Sequence, residues 1–390
     1  MKVLILPSFY CSPEHPVKGV FFRDQAQALS HAGIEVEVLV NEARSLRELS
    51  LRALVQNHWQ RKCERDDGVF TMRQCGWNPG VASARGGRVW SRLALSLFET
   101  YLSLRGRPDV LHAHNSLWAG YAASLIHERF GIPYVITEHC TTFPSGGFPS
   151  DVSTLIRSAG DHAAVRICVS KALAAAYQPY VSKSIEVIPN VVDTSFFTPS
   201  VASARPAVFT YLAVGHLIER KGFHLLLRAF AMNVSKMRDV VLRIGGAGPE
   251  RSRLEHLAND LGLKSQVEFL GSIDREKVRS AMQGANVLVL PSFQETFGVV
   301  LIEAMSTGIP VIATRCGGPE EIITAETGLL ASPGDVEELG KALVEIRERV
   351  WNAEAIRHSV ELRFSAGVIA AALTDVYRSA VGAGNIRSKH

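Results

Sequence analysis

Short apolar runs alternate with helical stretches along the whole chain. Val3 to Leu6 is continuously apolar, as expected of a strand buried on both faces. A loop with Pro13, Pro16 and Gly19 follows. Phe22, Ala26 and Leu29 then recur at helical spacing, and Gly33 ends that helix. Glu35 to Val40 is the next strand. The unit returns, with strands predicted at 109–112, 134–137, 167–169, 185–188, 210–214, 240–244, 267–269, 287–290 and 311–313. Helical patterns separate most of them, so the fold class is α/β, with parallel, doubly wound sheets. A Ser-, Thr- and Pro-rich stretch from Asn190 to Ala207 divides the two strand series and reads as a linker. About 190 residues on either side suffice for a core each.

Composition narrows the function classes. The 390 residues are 47% hydrophobic and 21% charged, which excludes disorder as the main state. No apolar run reaches the roughly 18 residues that cross a bilayer. A net charge of +4 gives no argument for nucleic acid. The six cysteines form no C-x-x-C pair, and Pro7 cuts the first apolar run too short for a secretory leader, so a reducing cytoplasm is the expected location. One stretch stands apart. From Arg44 to Arg107, twelve basic residues face five acidic ones, a surplus of seven in a chain whose remainder is net acidic. Leu46, Leu49, Leu54 and Trp59 fit one face of a helix that also carries Arg47, Arg52, Arg61 and Lys62. Trp77 and Trp90 follow. Such a helix suits an anionic membrane surface or a phosphorylated acceptor; a solvated helix packed on its sheet is the plainer alternative.

Several chemistries lack their motifs. There is no G-x-x-x-x-G-K-[ST], no G-x-S-x-G and no Asp-x-Asp. In the stretch from Gly245 to Gly248, Arg251 stands where a dinucleotide fingerprint needs its third glycine. His112 and His114 alternate on a strand without an obvious third metal ligand, which favours structural roles. The informative region is 291–308, PSFQETFGVVLIEAMSTG. A strand runs into Pro291, and a helix begins near Gly298. Glu295 lies in the loop between them, and Glu303 lies on the helix. The amides of Phe297, Gly298 and Val299 open that helix and favour a phosphate group. Earlier, GHLIERKG places Arg220 and Lys221 at a helix start, a pair of cations fit for a diphosphate. His139 follows the strand 134–137.

Together these segments resemble the retaining family 4 glycosyltransferases of the GT-B fold. The match runs through the Gly19 loop, DVLHAH, TEH, IPNVVD, Lys221-Gly222, GGAGP, VEFLGS, the Glu295–Glu303 segment, GGPEEII and a late helix. The resemblance implies two Rossmann-like domains facing a cleft. An acceptor-binding domain covers 1–190 plus a returning helix at 366–390, with Ile369, Ala372, Leu373 and Val376 buried. A donor-binding domain covers 195–365. The implied reaction is retaining sugar transfer from a UDP- or GDP-linked donor to a glycan or lipid-linked acceptor, with no metal. By resemblance, Glu295 binds the donor sugar, Glu303 the ribose, and Lys221 and Arg220 the diphosphate. His139 approaches the sugar from the first domain, Gly19 approaches the diphosphate, and the loop ending at Ile273 meets the base. His216 stands where the family often has Arg, and Val191 replaces a usual Gly. Alternatives are a glycosidase using two carboxylates, a nucleotide-sugar epimerase or phosphorylase, and a non-catalytic partner subunit, which His216 motivates.

Overall fold

The chain folds into two compact units, one of residues 1–190 and 366–390, the other of 191–365. The computed structural model describes residues 1–12, 18–44, 49–55, 58–78, 80, 83–200, 208–237 and 239–387. Pro13, Pro16, Leu46 and Arg47, together with the linker stretch 201–207, lie outside the described residues.

In the first unit the strands are β1 (Lys2–Pro7), β2 (Glu35–Arg44), β3 (Arg61–Asp66), β4 (Val69–Trp77), β5 (Val110–His114), β6 (Tyr134–Glu138), β7 (Val165–Cys168) and β8 (Glu186–Val187). They form one sheet in the order β3-β4-β2-β1-β5-β6-β7-β8. All neighbours are parallel except β3 and β4. The helices are α1 (Val20–His31), α2 (Leu51–Val55), α3 (Ala84–Arg105), α4 (Tyr121–Phe130), α5 (Ser150–His162) and α6 (Lys171–Tyr177). Side chains alternate across a strand, so one face of β1 carries Leu4 and Leu6 into a core with Trp90, Leu97 and Phe98 of α3 and Ile126 of α4. Val3 and Ile5, on the other face, are equally buried.

The second unit holds β9 (Phe209–Val214), β10 (Val240–Gly245), β11 (Val267–Gly271), β12 (Val287–Leu290), β13 (Val311–Thr314) and β14 (Gly328–Ala331), with α7 (Phe223–Asn233), α8 (Arg251–Asp260), α9 (Arg275–Gln283), α10 (Val299–Ser306), α11 (Pro319–Ile322), α12 (Val336–Glu348) and α13 (Ala353–Phe364). Its sheet runs β11-β10-β9-β12-β13-β14, all parallel. The order reverses at β9, whose two neighbours are β10 and β12. Loops diverge at such a switch point and leave a crevice at the carboxyl ends of the strands. The loops after β9 and β12 open there.

The last helix, α14 (Ala366–Arg387), belongs to the first unit and packs beside α1. Its buried seam is Ile369, Ala370, Leu373, Val376, Tyr377 and Ala380, while Ala372 is half-buried. Each fully buried aliphatic side chain of this seam contributes about 1.5–3 kcal/mol relative to exposure.

The basic segment departs from the expected helix. Arg61 and Lys62 lie on β3, an edge strand antiparallel to β4, so one helix across 46–62 does not form. The reason is the hairpin. Asp67 and Gly68 both adopt positive φ (48° and 84°), as a two-residue turn between right-twisted strands requires. Asp-Gly between the two strands was the available signal; the polar run of β3 hides it by lacking alternation. Nor are the tryptophans exposed anchors. Trp90 is buried in the core, and Trp59 and Trp77 are half-buried. Trp59 lies so close to Gly76 that a Cβ there would come within 2.2 Å of its ring.

Candidate active site

In the second unit the loops after β9 and β12 interlock. Phe293 N donates to Arg220 O at 2.8 Å. Gly222 sits at φ +68°, and a Cβ there would lie 2.0 Å from Pro291 O. Arg220 and Lys221 occupy a short turn before α7 and not the helix itself, with Gly222 as its left-handed exit. The interlock brings Lys221 Nζ to 2.5 Å from Glu295 Oε1. Ser292 Oγ donates to the same oxygen at 2.6 Å. Glu295 is buried, and its backbone is clamped on both sides: its N donates to Cys316 O and its O accepts from Gly318 N, each at 3.1 Å. Gly318 is needed for that clamp, because a Cβ would stand 2.2 Å from Phe297 Cα. Burial pushes the Cys316 thiol up to about 12, so it stays neutral beside this carboxylate.

Gly298, at φ +101°, opens α10. Helix geometry leaves the first amides of α10 without intrahelical acceptors, and its dipole adds partial positive charge there. Phe297 contributes backbone only, since its ring is buried against Phe364 at 5.7 Å. Val299 is half-buried at the first helical position, and Glu303 lies half-buried on the next turn. Close backbone approach also shapes the β9–β10 side. Gly215 N donates to Gly245 O at 3.0 Å, and a Cβ on Gly246 would lie 1.9 Å from Gly215 O. Ile273 packs over Gly245, and His216 is exposed.

The first unit carries His139 just beyond β6. Its N donates to Glu138 Oε1 at 2.9 Å and to Asn115 Oδ1 at 3.2 Å. Its Nε2 lies 3.2 Å from Nδ1 of His114. His112 is held at Nδ1 by the Tyr377 hydroxyl and at Nε2 by Thr137, both at 2.7 Å. Burial lowers His112 and His139 to about 3 and holds His114 well below the usual histidine range. All three rings are therefore neutral at pH 7. Two buried nitrogens, His114 Nε2 and His139 Nδ1, have no hydrogen-bond partner among the described residues. Glu138 accepts the backbone N–H groups of Ser116, His139 and Cys140, and burial raises its carboxyl above the usual range. Gly19, at φ +74°, begins α1 and approaches Phe9 O and the Phe22 ring closely. Among the described residues, no three His, Cys, Asp or Glu side chains group as a metal site.

Comparison with known proteins decides the family. Residues 202–350 match the glycosyl transferases group 1 family, and residues 19–196 match glycosyltransferase family 4. D-inositol 3-phosphate glycosyltransferase of Corynebacterium urealyticum is 31% identical over 70% of this chain and 71% of its own. The chain belongs to the group 1, family 4 glycosyltransferases. TuaC of Bacillus subtilis, named as a teichuronic acid biosynthesis glycosyltransferase, is 26% identical over 97% of this chain and 98% of its own. Anabaena HepE, solved with UDP and glucose, shares the fold with a TM-score of 0.74 at 19% identity, over 97% of this chain and all of that one. The two Rossmann-like units are those of a GT-B fold.

The glycosyltransferase thus joins Lys221, Glu295 and the α10 start within one unit, and Gly19 and His139 lie in the other. Sequence reasoning missed Ser292, Asn115 and Glu138. Ser292 follows directly from the strand end at Leu290 and Pro291, and Glu138 stands inside the Thr-Glu-His triplet, so position at a strand's carboxyl end was their signal.

Proposed function

We propose that this glycosyltransferase moves a sugar from a UDP- or GDP-linked donor to an acceptor hydroxyl with retention at the anomeric carbon. Its setting is polysaccharide or lipid-linked glycan synthesis. The observation that carries the reading is the meeting of Lys221, Glu295 and the α10 N-terminus at the carboxyl edge of the second sheet. Departure of a nucleoside diphosphate builds negative charge on the leaving group, so donors and cations aimed there lower the barrier. Lys221, Arg220 and the amides at Phe297, Gly298 and Val299 take that role, without a metal. Glu295 accepts hydroxyl hydrogens of the donor sugar. One ion pair then reads both ends of the donor's reactive bond: carboxylate toward sugar, ammonium toward diphosphate. Glu303 binds the ribose, the loop at Ile273 the base, and His216 stands at the diphosphate rim. Gly19 and His139 are the first unit's contribution to the donor. The neutral His139 ring suits a hydrogen bond to a sugar hydroxyl rather than charge pairing.

The similarity to D-inositol 3-phosphate glycosyltransferase and to TuaC, and the UDP and glucose in the structure of HepE, support this reading. The test is a thermal-shift panel of UDP, GDP and ADP with a nucleoside diphosphate release assay. A nucleotide at 100 times its Kd stabilises the protein by about 2.7 kcal/mol. A protein that no nucleotide shifts, and that releases no nucleoside diphosphate from any donor, refutes the proposal. Binding without turnover supports the partner-subunit alternative. Isomerised donor without acceptor indicates an epimerase, and dependence on orthophosphate a phosphorylase.

A membrane role belongs to the same proposal. Leu51 and Val55 of α2 are 85% and 83% exposed, and Arg61, Lys62 and Arg65 of β3 are exposed in the same segment. No described helix is long and apolar enough to cross a membrane. We assign this segment to an anionic membrane, placing the enzyme in the cytoplasm at its inner surface. Each basic residue near such a surface contributes about 1 kcal/mol. Lys62→Gln with Arg65→Gln, or Leu51→Ser with Val55→Ser, should reduce co-sedimentation with phosphatidylserine vesicles at low salt. Wild type that ignores those vesicles sinks the assignment.

A further inference from the structure

Two neighbouring histidines in the first unit share one proton. His114 ends β5, and His139 follows β6, the adjacent strand of the sheet. Their facing nitrogens, Nδ1 of His114 and Nε2 of His139, stand 3.2 Å apart. Burial keeps both rings neutral at pH 7. Two bare lone pairs at that distance would repel, and two N–H groups would collide, so one hydrogen lies between them. Which ring owns it fixes the tautomer of both.

Packing holds the two rings in place. His114 lies against the Phe22 ring at 4.5 Å and the His112 ring at 4.3 Å. His112 is itself held at both nitrogens, by the Tyr377 and Thr137 hydroxyls. A hydroxyl either donates or accepts, so His112 fixes the place of His114 without imposing a tautomer on it. His139 lies against Phe21 at 5.2 Å and Phe22 at 5.0 Å, with its backbone N–H held by Glu138 and Asn115. Among the described residues, His114 is the only side chain that bonds the His139 ring.

Burial decides which ring owns the hydrogen. If His139 donates from Nε2, His114 must carry its own hydrogen on Nε2, where it has no acceptor among the described residues. His114 is wholly buried, so nothing that binds later relieves that N–H. If His114 donates from Nδ1, its Nε2 keeps only a lone pair, and His139 carries its hydrogen on Nδ1. The unpaired N–H then belongs to His139, which is 8% exposed and stands where the proposed function places the donor sugar. An unmade buried donor bond is costly, and only this arrangement lets a ligand remove the cost.

We infer that His114 is a positioning residue: its Nδ1–H donates to Nε2 of His139, which fixes His139 as the Nδ1–H tautomer and makes it a donor toward the sugar. The sugar contact rests on the glycosyltransferase reading above; the tautomer does not need it. The arrangement also says what His139 recognises. The sugar atom opposite Nδ1 must accept a hydrogen bond, as a hydroxyl oxygen does and a deoxy position does not.

The test is long-range proton–nitrogen correlation NMR on the full chain with isotope-labelled histidine, at about pH 7. It tells a protonated ring nitrogen from a bare one. His139→Gln and His114→Asn identify the two rings by the signals they remove. In the wild type both rings should be protonated at Nδ1 and bare at Nε2. His139 protonated at Nε2 overturns the inference. Donor kinetics give the second readout. His114→Leu should lower kcat/KM about tenfold, while affinity for free UDP or GDP stays that of the wild type. His114→Asn, whose Nδ2 stands where Nδ1 stood and still donates, should restore most of the loss. In a His139→Ala background, His114→Leu should cost nothing further, because it acts through that ring. Full additivity of the two substitutions, or equal impairment by Leu and Asn, leaves His114 a packing residue only and overturns the inference. Failure of the wider reading is seen separately, as a wild type that releases no nucleoside diphosphate from any donor, and the nitrogen spectra decide the tautomer without turnover.

Discussion

Gly222 is one of the points where the loops of the second unit's site touch, and its replacement by alanine separates two costs. Alanine at φ +68° costs about 1–2 kcal/mol for left-handed backbone alone. Gly262, in the same unit, has φ +73° with nothing near its absent Cβ, so Gly262→Ala pays only that first cost. At Gly222 the new Cβ stands 2.0 Å from Pro291 O, against 3.4 Å for ordinary contact. The obstacle is backbone, which cannot rotate away, so one loop must move by about 1 Å or more. Overpacking of this kind adds about 1–3 kcal/mol, giving roughly 2–5 kcal/mol in all. For a unit of this size each kcal/mol lowers Tm by about 2–4 °C. Moving the Pro291 loop against Lys221 also pulls apart the 2.5 Å ion pair with Glu295. Gly222→Ala should therefore melt several degrees below Gly262→Ala and bind nucleotide more weakly, while Gly262→Ala binds as wild type does. Differential scanning calorimetry with and without UDP or GDP measures both. Equal Tm and equal nucleotide affinity in the two variants would refute the interlock.

Other expectations follow from the same geometry. Glu295→Gln keeps the shape but loses a charge-assisted bond of about 1.5–3 kcal/mol, so kcat/KM should fall about 10- to 100-fold, and an unchanged value removes Glu295 from the site. Glu303→Ala should weaken free nucleotide binding more than kcat, because a ribose contact is equal in ground and transition states; unchanged affinity for the nucleotide counts against it. Transfer should persist in EDTA, and activity lost in chelator and restored by magnesium or manganese would move the leaving-group role to a metal. His112 and His139 have folded pKa values near 3, below the unfolded value of about 6.5, so their stabilisation is complete above about pH 6.5 and is lost as pH falls toward 3. Within that window each contributes a slope of about 1.4 kcal/mol per pH unit, read as urea midpoints at pH 7.5, 6.5 and 5.5. A flat profile from 7.5 to 5.5 contradicts their neutral burial.

Much of the architecture was legible because its signals are local. The strand at β1 shows as an unbroken apolar run, since a parallel strand is covered on both faces. The α10 start was readable from Gly298 after a strand end, and Glu295 from its loop beside it. The hairpin of β3 and β4 was not read, although Asp67-Gly68 announced it. β3 is exposed along its length, so no buried face imposes a period of two. β14 was missed for a different reason: Gly328 to Ala331 holds no β-branched residue, whereas the equally short β12 and β13 do.

The chain's own order of residues determined the alternating α/β class, the helix at 299–306 and the left-handed glycines that begin or end elements. These depend on neighbours a few residues away. Tertiary structure alone decided that Lys221 meets Glu295 across 74 positions, and that Tyr377 on the last helix holds His112 across 265. It also decided that His114 meets His139 across 25. Such contacts leave no periodic trace in sequence, because each is made by a single pair brought together only when the sheets and their helices have packed. The chemistry of the site resides in those pairs, since a cation, a carboxylate or an imidazole gains its role from the partner that fixes it.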